Sequence, residues 1–297
     1  MAGVIDYVQF VLAPQVITGL ALGVAVVLVA LGLTIIFGLL DVINMAHGEF
    51  YALGAFIALA LGFTGLPFWA LIVLVPIAMV PIGYLVERGL IQRVFHTGER
   101  HVTTLLLTFG FGLVLEDLLR LVFGPNPYRP ETPIRGAVEI FGIFLPTYRL
   151  FLILFGALII AAVAFVVYRT RLGAIVRAAA FDRHMAASLG VPVEQVYAGA
   201  FAFGVALAGL AGVLLAPIYS VFPTMGRDFI LMAFTVVIVG GMGSIMGAVV
   251  AGLLLTQVQS IASLYISPVW TDPIVFGIMV LTLMVRPQGL FGRLGHG

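Results

Sequence analysis

The chain has 297 residues, of which 62% are hydrophobic and 9% charged, against roughly a quarter charged in an ordinary soluble domain. That excludes a water-exposed globule and supplies apolar material for roughly nine bilayer crossings of about 20 residues each. A net charge of +1, from 14 basic and 13 acidic residues, leaves no basic footprint for a nucleic acid.

The start, Met1 to Phe10, carries Asp6 and no basic residue, so it lacks the positive end of a secretory signal, and the first apolar stretch is expected to persist in the mature protein. A charge at the bilayer centre costs on the order of 2.5 to 3.5 kcal/mol, so charge-free runs locate the spans. Residues 7–40, 50–86, 150–168, 195–226 and 229–271 contain no Asp, Glu, Lys or Arg. The second and last of these exceed one helix and must turn back. Their breaks are predicted at Thr64-Gly65-Leu66-Pro67 and at Gly240-Gly241-Met242-Gly243-Ser244, where glycine frees the backbone. Spans are predicted near 14–40, 46–64, 67–87, 102–123, 149–168, 192–216, 229–242, 244–265 and 270–286, with 229–242 short enough to be re-entrant. The expected fold is all-α: one transmembrane domain over 1–297, a bundle of eight or nine spans with a short cytoplasmic coupling helix.

Arginines set the orientation. Arg88, Arg93 and Arg100, then Arg169, Arg171, Arg177 and Arg183, then Arg286 and Arg293 fall on one predicted side; Arg129, Arg135, Arg149 and Arg227 fall on the other. The richer side is expected to be cytoplasmic. The opposite loop 124–149, with Pro125, Pro127, Pro130, Pro133 and Pro146, resists helix formation over most of its length and is a candidate receptor-facing surface.

Two breaks look alike. Asn44-Met45-Ala46-His47-Gly48-Glu49 and Pro223-Thr224-Met225-Gly226-Arg227-Asp228 each separate a long apolar helix from a small-residue-rich one. They are either ordinary connections or the matching breaks of a duplicated half, unwound at membrane depth where they line a cavity. Asn44, His47 and Glu49 accordingly read as a polar hinge near a pathway, or as a solvated turn. Histidines 47, 96, 101, 184 and 296 show no ligand spacing, so no metal is expected.

Glu116, Asp117 and Arg120 are charges well inside a predicted span, about 10 Å from its outer end. The i,i+4 pair Glu116 and Arg120 can neutralise itself as a structural cluster. The segment 169–191 is helical by composition, with Gly173 and Gly190 bracketing about 16 residues, roughly 24 Å of helix. Its alanines permit close approach of another protein, and Arg177, Asp182 and Arg183 can fix the register. It reads as a docking helix or as an interfacial amphipathic one. Gly19 and Gly23, and Gly243 and Gly247, form G-x-x-x-G pairs that favour close helix packing. The Gly240 to Ser244 turn is alternatively a pathway lining. Thr271-Asp272-Pro273 reads as a helix start.

Three of these features resemble the branched-chain amino-acid ABC transporter permeases, in particular the shorter, LivH-like type. They are Asn44 to Glu49 with Gly54; the Gly173, Arg177, Ala178, Asp182, Arg183, Ala186, Gly190 pattern; and Gly240 to Gly247 with Arg286-Pro287-Gln288-Gly289-Leu290-Phe291-Gly292 near the end. The resemblance runs from about residue 15 onward. It implies an inner-membrane subunit for Leu, Ile or Val, a second and different permease chain, two cytoplasmic ATPases that dock at 173–190, and a soluble receptor outside. Related permeases carry amides or urea, which is the alternative cargo.

The residues themselves agree with imported energy. All 14 basic residues are Arg, so the lysine-dependent phosphate loop is absent. ATP and Mg belong to partner chains, and no cofactor is expected in this one. The lack of Cys removes disulfides and thiol catalysis. An ion-coupled secondary transporter or channel needs intramembrane ionisable groups or a polar filter, in both of which the chain is poor. An intramembrane enzyme would have to work with the acidic pair Glu116-Asp117 alone.

Overall fold

The computed structural model describes residues 7–94, 100–140 and 142–292; Met1 to Asp6, Arg293, His96 and His296 lie outside them. Among the described residues the chain is almost wholly helical. A π-helical turn, Val8–Leu12, runs into α1 (Ala13–Leu40). There follow α2 (His47–Phe63), α3 (Phe68–Val86) with a π-helical extension Glu87–Ile91, and α4 (Arg100–Phe123). A two-stranded antiparallel hairpin, β1 (Ala137–Ile140) and β2 (Ile143–Pro146), precedes α5 (Thr147–Arg169). The rest is α6 (Arg171–Phe181), α7 (Arg183–Ser188), α8 (Val193–Leu215), α9 (Met225–Gly240), α10 (Ile245–Ala262) and α11 (Thr271–Val285).

The nine expected apolar segments therefore all appear as helices. Val8–Leu40, Phe68–Val94, Thr147–Arg169, Val193–Leu215 and Ile245–Ala262 are long and apolar enough to cross a membrane, whereas α2 and α11 are apolar but shorter. The turn after α2 forms where expected, with Gly65 at φ 85° and Pro67 immediately before α3. The 124–149 loop is non-helical over most of its length, as expected, and carries the β hairpin, whose register pairs Val138 with Leu145. Two expectations are corrected. The helix expected at 229–242 begins at Met225, so Arg227 and Asp228 stand in its first turn rather than in a loop. The single 16-residue rod expected between Gly173 and Gly190 is two helices broken at Asp182. Asp182 takes an extended conformation, and its Oδ1 accepts a hydrogen bond from Met185 N at 2.9 Å, the local side-chain bond that makes Asp a helix start rather than a helix interior.

α1 and α8 form the centre. Both are enclosed by other helices over most of their length. They cross at Gly32 and Gly204, where a methyl on either residue would come within 2.5 Å and 2.8 Å of the other's carbonyl oxygen. α1 packs along α10 and α8 along α3; α1 touches α9 as α8 touches α2; α4 rests on α2 as α11 rests on α9. Exchanging α1–α4 with α8–α11 preserves these pairs, and α1 and α8 run in opposite directions. The chain is thus built from two inverted four-helix repeats, with α5 added at the periphery, where most of its surface is exposed.

Contacts separate the two ends. At one end Arg88 reaches Glu194 at 3.4 Å, and Gly38 of α1 packs against Gly243. At the other, Tyr128 and Val221 exchange backbone hydrogen bonds of 2.9 Å and 2.8 Å, Arg129 donates to Ser220 Oγ at 3.0 Å, and Arg149 donates to Thr18 Oγ1 at 2.5 Å.

Candidate functional site

After α1 ends, with Asp41 in the left-handed region at φ 51°, the chain doubles back along it. His47 Nε2 lies 3.1 Å from the carbonyl oxygen of Val29, about 16 Å back from the end of α1 at 1.5 Å per residue. α2 therefore starts near the middle of α1. α8 is followed by a similar return, and α9 starts against α2. A methyl on Gly226 would come within 2.7 Å of the Gly48 carbonyl oxygen and 2.6 Å of Glu49 Oε2. The two breaks seen in the sequence meet face to face, with the positive poles of two helix N-termini converging on one point.

Asn44 and His47 are fully buried and Glu49 is 6% exposed, which overturns a solvated turn. Asn44 Oδ1 accepts from Ala46 N at 3.1 Å. Among the described residues, Asn44 Nδ2, His47 Nδ1 and Glu49 Oε2 find no hydrogen-bond partner, and Thr34 Oγ1 and Tyr51 Oη share that condition.

α4 covers this crossing with an unusual face. Thr104, Thr108, Gly112 and Glu116, spaced by four, are its buried positions together with Leu119. Met45 N donates to Thr108 Oγ1 at 3.1 Å, and Gly112 lies against Glu49 and Ala46. The pair expected between Glu116 and Arg120 forms at 2.8 Å, with Asp117 at 3.5 Å from the same guanidinium. Sequence reasoning missed the second partner: Arg227 of α9 also donates to Glu116. Spacing within α4 cannot show a residue 111 positions away; only the likeness of the two breaks pointed there.

A cavity of about 310 Å³ reaches the first turn of α9 from the hairpin end. Leu22, Val26, Met232 and Val275 contribute apolar walls, and Asp228, Gln259 and Asp272 contribute polar atoms. Asp272 stands in the first turn of α11, as expected of a helix start, and accepts from Gln259 Nε2 at 2.8 Å.

The remaining candidates lie elsewhere. The Gly240 to Ser244 turn is at the far end of α9 from the crossing. Gly241 and Gly243 have φ of 101° and 81°, and Ser244 Oγ accepts from Gly247 N at 3.1 Å. The segment after α11 closes over this turn, with Leu290 N bonded to the Val239 carbonyl at 2.8 Å and Phe291 N to that of Gly240 at 3.0 Å. Gly19 and Gly23 lie close against Ser260 and Thr256 of α10. In α6 and α7, Gly173 permits the tight turn from α5, where a Cβ would overlap the Val167 carbonyl, and Gly190 ends α7 at φ 84°. Ala186 is buried, while Arg177, Ala178 and Arg183 are exposed.

Comparison with known proteins accounts for this architecture. Residues 15–284 match the family described as the branched-chain amino acid transport system permease component. LivH of Salmonella typhimurium, a high-affinity branched-chain amino acid transport system permease protein, is 31% identical over 295 residues, covering 94% of this chain and 95% of that protein. BraD of Pseudomonas aeruginosa, of the same description, is 31% identical, with 94% and 95% covered. LivM of Escherichia coli is 27% identical over 292 residues, covering 89% of this chain and 67% of that protein. No solved structure matches the chain. Extensive coverage, apolar helices and the expected motifs agree: the chain belongs to the branched-chain amino acid transport permease family and is a multi-pass membrane protein.

Proposed function

We propose that this chain is one of two permease subunits of an ATP-binding-cassette importer in the inner membrane, and that it forms part of the passage for Leu, Ile and Val. Its family membership supports the reaction class, and relatives named LivH and LivM support a different second permease. The observation that carries a transport role is the meeting of two helix starts near the middle of α1, since irregular backbone at membrane depth is tolerated only where it is buried in protein or lines a cavity. In this reading there are nine crossings, two of them composed of an extended return followed by α2 or α9. Asn44, His47 and Glu49 belong to the pathway, and the glycine turn Gly240, Gly241, Gly243 and Ser244 is a hinge at its cytoplasmic end.

The segment 169–191 couples to the ATPases, which bind ATP and Mg. Phe181 is 89% exposed and Leu189 80% exposed, and Arg177 and Arg183 flank this apolar surface, a combination suited to a protein groove with an acidic rim. The loop 124–149 faces the soluble receptor, and clefts beside it are lined by Pro130, Glu131, Arg135 and Pro217.

The test is reconstitution. Vesicles holding both permeases, the ATPases and the receptor accumulate leucine with ATP, and vesicles holding this chain alone do not. Ion-driven accumulation by the chain alone would overturn the proposal, and uptake of urea or amides in place of leucine would overturn the cargo.

A further inference from the structure

The charges that reach Glu49 are Glu116 and Asp228, both acidic, and Arg227. Arg227 is committed to Glu116, which also takes Arg120. Among the described residues Glu49, more than nine-tenths buried, is thus left with a carboxyl oxygen that has no hydrogen-bond partner and with no cation of its own. An uncompensated charge in an apolar interior is costly. The N-termini of α2 and α9 offset part of it, but they are partial charges. Over the group lies the threonine and glycine face of α4, with Met45 N bonded to Thr108 Oγ1 at 3.1 Å and Gly112 against Glu49.

We propose that Glu49 holds the α-ammonium group of the amino acid in transit, resting on the pathway assignment above. The converging starts of α2 and α9 take the α-carboxylate, displacing Glu49 toward the ammonium. The aliphatic side chain occupies the cavity beside Met232 and Val275. Phe229, whose ring centroid lies 4.3 Å from that of Tyr51 of α2, lines the cavity and links it to the contact between α2 and α9. The pocket therefore reads a zwitterion with an apolar body, and α4 moves aside to admit it.

The experiment uses the whole importer in proteoliposomes. Glu49→Gln keeps the shape and hydrogen-bonding capacity of a helix-start residue and removes the charge; leucine uptake is expected to fall at least about tenfold, the scale of one lost charge-assisted hydrogen bond, while the subunits still co-purify. Glu49→Asp restores part of it. The chain has no Cys, so Thr108→Cys reports access to the seam. L-leucine is expected to protect it from a water-soluble maleimide, and 4-methylpentanoate, which lacks the ammonium, is expected not to. Adding Glu49→Gln abolishes the protection. Full uptake by Glu49→Gln, a Thr108→Cys that never labels in a transporting complex, or equal protection by both compounds would overturn the inference. Failure of the unsubstituted importer to take up leucine would instead overturn the function proposed above.

Discussion

Gly48 and Gly226 meet backbone to backbone, so close that a methyl on Gly226 would sit 2.7 Å from the Gly48 carbonyl oxygen. This contact joins the two halves of the chain and fixes where α2 and α9 begin. Gly48→Ala or Gly226→Ala is expected to destabilise the protein by about 1 to 3 kcal/mol, the range for forcing extra volume into a packed interior. Gly112→Ala is the control, because its Cβ would meet Glu49 Cγ at 3.5 Å, an ordinary contact. Thermal unfolding in detergent checks both: the first two midpoints fall and the third stays.

Glu116 is the anion shared by Arg120 and Arg227. Its loss leaves Arg227 without this carboxylate and Arg120 with Asp117 alone at 3.5 Å; both guanidinium groups are about half exposed, so the cost is expected to fall below the roughly 3 to 5 kcal/mol of a fully buried pair broken from one side. Glu116→Gln should therefore be more harmful than Glu116→Gln combined with Arg227→Gln. A double-mutant cycle on unfolding midpoints measures the difference; strict additivity would show that the contact between the repeats is energetically idle.

Asp182 separates capping from coupling. Asp182→Ala removes the bond to Met185 N and should cost about 1 kcal/mol of local stability. Asp182→Asn retains a good cap and is expected to retain ATPase association. Arg177→Glu and Phe181→Asp, both on the exposed surface, should insert normally and reduce co-purification of the ATPase about tenfold, the loss of one interface hot spot of at least about 1.4 kcal/mol.

Gly241 has φ 101° and lies against Gly289 and Gly292 of the closing segment. Gly241→Ala is expected to cost about 1 to 3 kcal/mol through backbone strain. Protease sensitivity after α11 should rise with it, because the same substitution lifts Leu290 and Phe291 from the α9 carbonyls.

The helices were legible because charge-free runs and glycine breaks reflect the cost of charge and of open backbone in a membrane. The inverted repeat was visible only as a likeness between 44–49 and 223–228. What the sequence could not show is that the likeness becomes a contact: Glu49 facing Gly226, and Glu116 bonded to Arg227, depend on two returns of the chain whose direction no local pattern encodes. The single rod at 173–190 failed for the opposite reason. Its alanines favour helix throughout, and one Asp side chain bonding Met185 N outweighed them locally. The Arg177 and Arg183 surface was legible, since exposed charge among alanines needs no tertiary context.

The claim that ATP-driven force enters through α6 and α7 is tested most directly at Phe181. With no native Cys, Phe181→Cys gives one site for an impermeant maleimide. Labelling is expected in inside-out membrane vesicles stripped of ATPase, with protection when the ATPase is added back. Labelling only from the outer face of intact cells, or labelling indifferent to bound ATPase, would contradict it.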